Sequence, residues 1–97
     1  MKSVRFHFEA EQELLEHEAW YRQRSEVAAQ GFVLELEHAI AAVRESPEQW
    51  PIGRRGEHRY VFPRYPFTLL YRIRGDEVFV TAVAHQSRRP GYWHHRT

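Results

Sequence analysis

The chain has no cysteine, which excludes a disulfide framework, a thiol nucleophile and a zinc–thiolate site. Lysine is nearly absent as well. Of the 14 basic residues, 13 are arginine and one is Lys2. No apolar run approaches the roughly 20 residues of a membrane-spanning helix. The opening Met1-Lys2-Ser3-Val4-Arg5 leads into an alternating pattern rather than the apolar stretch of a secretory signal. No glycine-rich phosphate fingerprint is present: Gly53-Arg54-Arg55-Gly56 lacks the spacing of a P-loop or a dinucleotide-binding turn. The serines show no nucleophile-elbow motif. His94 and His95 are adjacent and so do not converge on one ion, and no other His, Asp or Glu set has ligand spacing. Neither a metal nor a cofactor is expected, and a soluble, cytoplasmic protein is.

The 97 residues suffice for one domain, residues 1–97, burying roughly 65% of the unfolded surface. Charge is divided along the chain. Residues 1–51 carry ten acidic and five basic groups, net −5; residues 52–97 carry three acidic and nine basic groups, net +6. Arginine offers a planar fork to phosphate or carboxylate and stacks on flat rings. The split suggests either a polyanionic or acidic partner for the second half or simply a solvated charged surface.

Hydrophobic period divides the chain in the same way. Lys2 to Phe8 alternates, with Val4, Phe6 and Phe8 on one face, and predicts a half-buried strand on which His7 is solvated. Glu9 to about Gln23 reads as a helix, with acids in its first turns and arginines at its end. Ser25 is an N-cap for a second helix, Glu26 to about Glu45, whose stripe runs through Ala29, Phe32, Val33, Leu36, Ala39 or Ile40, and Val43. Glu35, Glu37 and His38 fall off that stripe and are expected in solvent. The short link predicts an antiparallel helical hairpin. Ser46-Pro47 stops the second helix.

After a loop to Gly56 the period becomes two. Strands are predicted at Glu57–Pro63, Phe67–Arg74 and Glu77–His85, the last two joined by a tight turn at Gly75-Asp76. On the last strand, strict alternation sets Val78, Val80, Ala82 and Ala84 against Phe79, Thr81, Val83 and His85. The expected fold class is α+β: an N-terminal strand, an antiparallel helical hairpin and a three-stranded antiparallel meander in two layers.

Candidate site residues gather in the second half. Arg59, Arg72 and Arg74 occupy polar strand positions, with Arg64 in a turn between two strands; together with Arg88 and Arg89 they suit a phosphate-binding surface. His85 ends the last strand beside this arginine pair. It is either a general base or a strand-end histidine that fixes the tail by bonding the backbone. Tyr92 is a second candidate proton carrier, though a phenol is a poor base near neutral pH. Pro90-Gly91 bends the tail and returns Tyr92 and Trp93 towards the body, where they stack on bases or cap the core.

The order of elements, with the phrases Phe8-Glu9-Ala10-(x3)-Leu14, Ser46-Pro47, Tyr65-Pro66-Phe67-Thr68-Leu69-Leu70-Tyr71-Arg72-Ile73 and His85-(x2)-Arg88-Arg89-Pro90-Gly91-Tyr92-Trp93, resembles the RelE/ParE superfamily of type II toxins over nearly the whole chain. It looks most like the ParE-type, plasmid stabilisation branch. The resemblance implies a toxin silenced by a cognate antitoxin. For the ParE branch it implies inhibition of DNA gyrase without catalysis. For the RelE branch it implies an mRNA endonuclease acting on the ribosome, in which His85 or Tyr92 would activate the 2′-hydroxyl and Arg59, Arg72 and Arg88 would stabilise the phosphorane. The chain departs from the RelE pattern at Thr68, where an arginine is expected, and in lacking lysines in the preceding strand region, where only Arg54, Arg55 and Arg59 stand. Arg88 and Tyr92 lie roughly where that branch keeps a tail arginine and tyrosine. The balance favours a target-binding surface that contains Arg59, Arg64, Arg72, Arg88, Arg89 and Trp93.

Overall fold

A computed structural model describes residues 2–97. Strand β1, Ser3–Phe6, ends earlier than alternation implied, because helix α1 starts at Phe8 and runs to Arg22. The reason is local. His7 is extended (φ −58°, ψ 145°) and its Nδ1 accepts the Glu9 N–H at 3.0 Å, so the imidazole is the N-cap of α1 rather than a solvated strand side chain. Phe8 consequently leaves the core face and is 68% exposed. Ser25 caps α2, Glu26–Glu45, by accepting the Ala28 N–H at 3.1 Å. Pro47 starts a single 3₁₀ turn, Pro47–Gln49.

Strands β2 (His58–Val61), β3 (Phe67–Arg74) and β4 (Glu77–His85) form the antiparallel meander. β1 adds to its far side, parallel to β4, giving the order β1-β4-β3-β2. Gly75 makes the β3–β4 turn with φ +58°, a conformation glycine adopts without strain. No helix among the described residues is long and apolar enough to cross a membrane.

The alternation of β4 does not persist. Tyr71 pairs with Val80 but Leu70 pairs with Ala82, so Thr81 is the extra residue of a β-bulge. Val78 and Val80 face the helices. After the bulge Val83 takes that face, whereas Ala82 and Ala84 turn to the other side and join Leu70 beneath Tyr92 and Trp93. Strict alternation had placed the four residues Val78, Val80, Ala82 and Ala84 together; one inserted residue inverts everything beyond it.

Two layers of packing follow. On the helical side, Ala10, Phe32, Leu36, Ala39 and Val43 meet Phe62, Phe67, Leu69, Tyr71, Val78, Val80 and Val83. On the opposite side, the C-terminal tail covers Leu70, Ala82 and Ala84. Glu35 is not in solvent. It is 8% exposed, and its Oε1 accepts the N–H groups of Arg64 and Tyr65 at 2.8 and 2.9 Å, tying the β2–β3 turn to α2.

Beyond Phe6, β1 no longer covers the edge of β4. Side chains take over the exposed backbone groups there. Glu13 Oε1 accepts the Val83 N–H at 3.0 Å, His17 Nε2 donates to the Val83 carbonyl at 2.9 Å, and Arg96 Nη1 donates to the Thr81 carbonyl at 3.0 Å. This satisfies groups that would otherwise invite another strand.

Candidate functional site

The outer face of the sheet, away from the helices, carries a cleft of about 790 Å³. Its floor is Thr68 and Leu70 of β3 and Ala84 of β4. One wall is the Ile52–Arg55 loop and the other is the tail from Gln86 to His94. Both walls are positioned by identifiable bonds. Arg72 Nη1 donates to the Arg55 carbonyl at 2.7 Å and so anchors the loop. The tail bends at Gly91, whose φ is +85°.

Glu57, 4% exposed, lies at the base of the cleft and is among the residues that line it. Its carboxylate is 3.9 Å from Arg72 Nη2 and 3.5 Å from His94 Nε2, which brings loop, strand and tail to one buried charge. These are loose contacts, and Glu57 Oε2 has no hydrogen-bond partner; neither does the buried Nε1 of Trp93.

The tail itself is fastened by a second buried acid. Glu13 of α1 is 7% exposed. Its Oε2 accepts the Tyr92 hydroxyl at 2.7 Å and Arg96 Nη2 at 3.0 Å, while Oε1 holds the Val83 amide. Arg96 is 6% exposed. Such a pair is held by multiple charge-assisted bonds at fixed geometry. The Arg88 guanidinium lies over the Tyr92 ring, 3.9 Å from its centroid. A chain of contacts thus runs from α1 through Tyr92 to a cation at the cleft.

The expected site residues separate into groups. Arg59, Arg88 and Trp93 line the cleft, together with Arg54 and Arg55. Arg72 faces the same side but serves the loop and Glu57, as above. Arg64 lies in the β2–β3 turn beside Tyr65 and α2, where it lines a different cavity. Arg89 is exposed and outside the cleft lining. Arg74 and Arg5 both stack on Phe79, at 4.1 and 4.9 Å.

The two candidate proton carriers are both engaged. Tyr92 has its pKa raised, first by burial and then by its bond to the Glu13 carboxylate. A phenol so placed holds its proton near neutral pH and directs it at Glu13. His85 sits between the cleft and a second cavity. Its Nδ1 accepts the Ser87 N–H at 3.0 Å and lies 2.7 Å from Ser87 Oγ. This is the backbone-fixing arrangement, and it assigns the proton of neutral His85 to Nε2. Among the described residues no three His, Asp or Glu groups converge as a metal site.

The second cavity, about 550 Å³, lies on the helical side of the sheet's end, between His17, Trp20 and Tyr21 of α1 and Phe67 and His85 of the sheet. His17 packs on Phe67 with ring centroids 4.3 Å apart. Burial lowers its pKa, against the smaller opposing effect of its bond to Val83.

In the sequence Arg54 and Arg55 stand out only as part of a loop without a phosphate fingerprint, and Glu13 only as one of several acids near a helix start. A signal for Glu13 existed. It falls three residues after Ala10 and four before His17, on the buried stripe rather than off it.

Comparisons with known proteins agree with this architecture. Residues 4–90 match the family model described as "ParE toxin of type II toxin-antitoxin system, parDE". A solved structure, "Chromosomal ParDE TA system from P. aeruginosa", superposes with a TM-score of 0.73 over 88% of this chain and 96% of that chain, at 19% sequence identity, and so shares the fold. A search of curated proteins found no match. With the family model covering nearly all of the helices, the sheet and the first part of the tail, the chain belongs to the ParE toxin family of type II toxin–antitoxin systems.

Proposed function

We propose that this protein acts in the cytoplasm as the toxin of a type II pair, that it inhibits DNA gyrase by binding, and that a cognate antitoxin neutralises it. The observation that carries this reading is the outer-face cleft. It gathers Arg54, Arg55, Arg59 and Arg88 around an apolar floor. Beside it, Tyr92 is committed to Glu13 and His85 to Ser87. A cationic surface on which the phenol of Tyr92 and Nδ1 of His85 are both committed elsewhere suits binding better than catalysis. Thr68, on the floor, adds no charge where a ribonuclease of the wider superfamily would have an arginine.

A second reading is ribosome-dependent mRNA cleavage. It draws on His85 at the cleft margin and on the nearness of Arg59 and Arg88. Inducible expression with and without the neighbouring open reading frame tests both readings. The expected result is growth arrest relieved by the neighbour, with loss of plasmid supercoiling and intact mRNA. Arrest with codon-phased mRNA cleavage and normal supercoiling selects the second reading. No arrest at confirmed soluble expression removes both.

A further inference from the structure

The cleft has more structure than a basic patch, and its composition specifies a ligand. Cations stand on opposite sides: Arg54 and Arg55 on the loop wall, Arg88 on the tail wall, Arg59 on the neighbouring strand. Arg54, Arg55 and Arg59 have no ion-pair partner among the described residues. Between them the floor is made of Thr68, Leu70 and Ala84, small and mostly apolar, with Trp93 at one side. Glu57, almost wholly buried at the base of the cleft, is the one acidic residue in the lining; its nearest cations are Arg72 and His94, at 3.9 and 3.5 Å, rather than Arg54, Arg55 or Arg59.

A protein surface of acidic side chains would meet the arginines but leave the apolar floor unmatched. A duplex keeps its base faces stacked inside, so it offers the cleft phosphates and groove edges but no flat ring face for the floor. A single strand offers both parts at once, phosphates for the walls and an unstacked base for the floor. A cleft of about 790 Å³ lies in the range that encloses a small-molecule-sized group, which is the scale of a base with its sugar and phosphate.

We infer that the Arg54–Arg55–Arg59–Arg88 cleft binds a short segment of single-stranded nucleic acid, seated with one base against Leu70, Ala84 and Trp93. The source consistent with the gyrase reading, on which this inference partly rests, is a DNA strand opened within the gyrase complex. The shared chemistry would equally admit a single strand of RNA, so the test separates them.

Fluorescence anisotropy of the purified protein with a labelled oligothymidylate, the matching RNA oligomer and a DNA duplex, over a series of salt concentrations, is the experiment. The single DNA strand should bind at least about tenfold more tightly than the duplex. Its affinity should fall with salt along a slope of about 0.7 per phosphate contacted. Arg59→Ala and Arg88→Ala should each weaken binding severalfold and reduce that slope. Arg5→Ala and Arg24→Ala, which alter arginines away from the cleft, should leave it unchanged. Trp93→Phe, which keeps a ring, should bind more tightly than Trp93→Leu when both variants show a native unfolding transition. Duplex bound as tightly as single strand, cleft variants equal to the parent, or no salt-dependent binding overturns the inference. RNA bound in preference to DNA replaces the DNA source with RNA. A protein that inhibits gyrase but ignores the oligonucleotides refutes this inference alone. One that binds them and leaves gyrase supercoiling intact refutes the gyrase reading alone.

Discussion

Glu13 joins three parts of this fold through one side chain. One carboxylate holds the Val83 amide, the Tyr92 hydroxyl and the Arg96 guanidinium. Removing it strips the Tyr92 hydroxyl of its acceptor and the buried Arg96 of its nearest carboxylate, leaving that cation with the Thr81 carbonyl and Glu9 at 3.4 Å. Glu13→Ala should therefore destabilise by about 3–5 kcal/mol, read by urea unfolding. Glu13→Gln keeps the shape and some of the bonds and should cost less. If Arg96 draws its stability from Glu13, the Arg96→Ala change should add little in the Glu13→Ala background, a non-additivity that a double-mutant cycle measures.

His17 makes a prediction in pH. Its folded-state pKa lies below the ordinary value of 6.5, with burial as the main cause. The unfolded chain therefore takes up the proton more readily than the folded one. The contribution is fully present above the unfolded pKa and is lost as pH falls through about 6.5 towards the lower folded value. Thermal unfolding between pH 8 and about 5 should show Tm falling on acidification, and part of that slope should be missing in His17→Gln. Equal slopes in the two proteins would mean that the half-buried imidazole is not a source of acid sensitivity.

At the scale of elements, α2 and the β2–β3 turn form one unit. The Tyr65 hydroxyl donates to the Ala28 carbonyl at 2.6 Å, and its ring crosses α2 at Gly31 so closely that a methyl group there would collide with the phenol oxygen. The residue that requires glycine at position 31 is thus a turn residue more than thirty positions later in the chain. Although alanine is the better helix former, Gly31→Ala should destabilise by about 1–3 kcal/mol through overpacking. Tyr65→Phe, which removes the obstructing oxygen, should make the same alanine cheaper. Chemical denaturation of the two singles and the double variant decides this.

The same scale separates what the sequence could express from what it could not. Period and caps identified both helices, the meander and the Gly75 turn, because each depends on residues near in sequence. The Thr81 bulge left no such mark. Val-Phe-Val-Thr-Ala-Val-Ala-His reads as regular alternation, and only the partner strand reveals which residue is extra. His7 misled for a related reason, since its imidazole serves a helix cap in a position that also fits the strand's polar face. For the candidate site, Arg59, Arg88 and Trp93 were legible from strand parity and tail composition. The separation of Arg64 and Arg89 from them was not, since it follows from where the turn and tail come to rest.

Over the whole molecule, the sequence's division of charge becomes a division of faces. Acidic groups concentrate on the helical hairpin, and the cationic cleft opens on the opposite side of the sheet. The wall arginines Arg54 and Arg55 are exposed and contribute no packing to either core. Arg54→Glu combined with Arg55→Glu should therefore leave stability within about 0.5 kcal/mol while sharply weakening growth arrest on expression. If arrest persists at equal protein level, the cleft is not the surface that meets the target.

The side-chain cover of the β4 edge also has a consequence in time. Most sheet amides are released to solvent only when a neighbouring strand departs, an event shared by many residues. The Val83 amide is held by one carboxylate on a helix. Its isotope exchange should follow the opening of that single contact, and should accelerate in Glu13→Gln more than exchange at Leu69 or Tyr71 in the centre of the sheet. Val83 is thus a clock for local detachment of α1 and the tail, running independently of the slower clock of global unfolding.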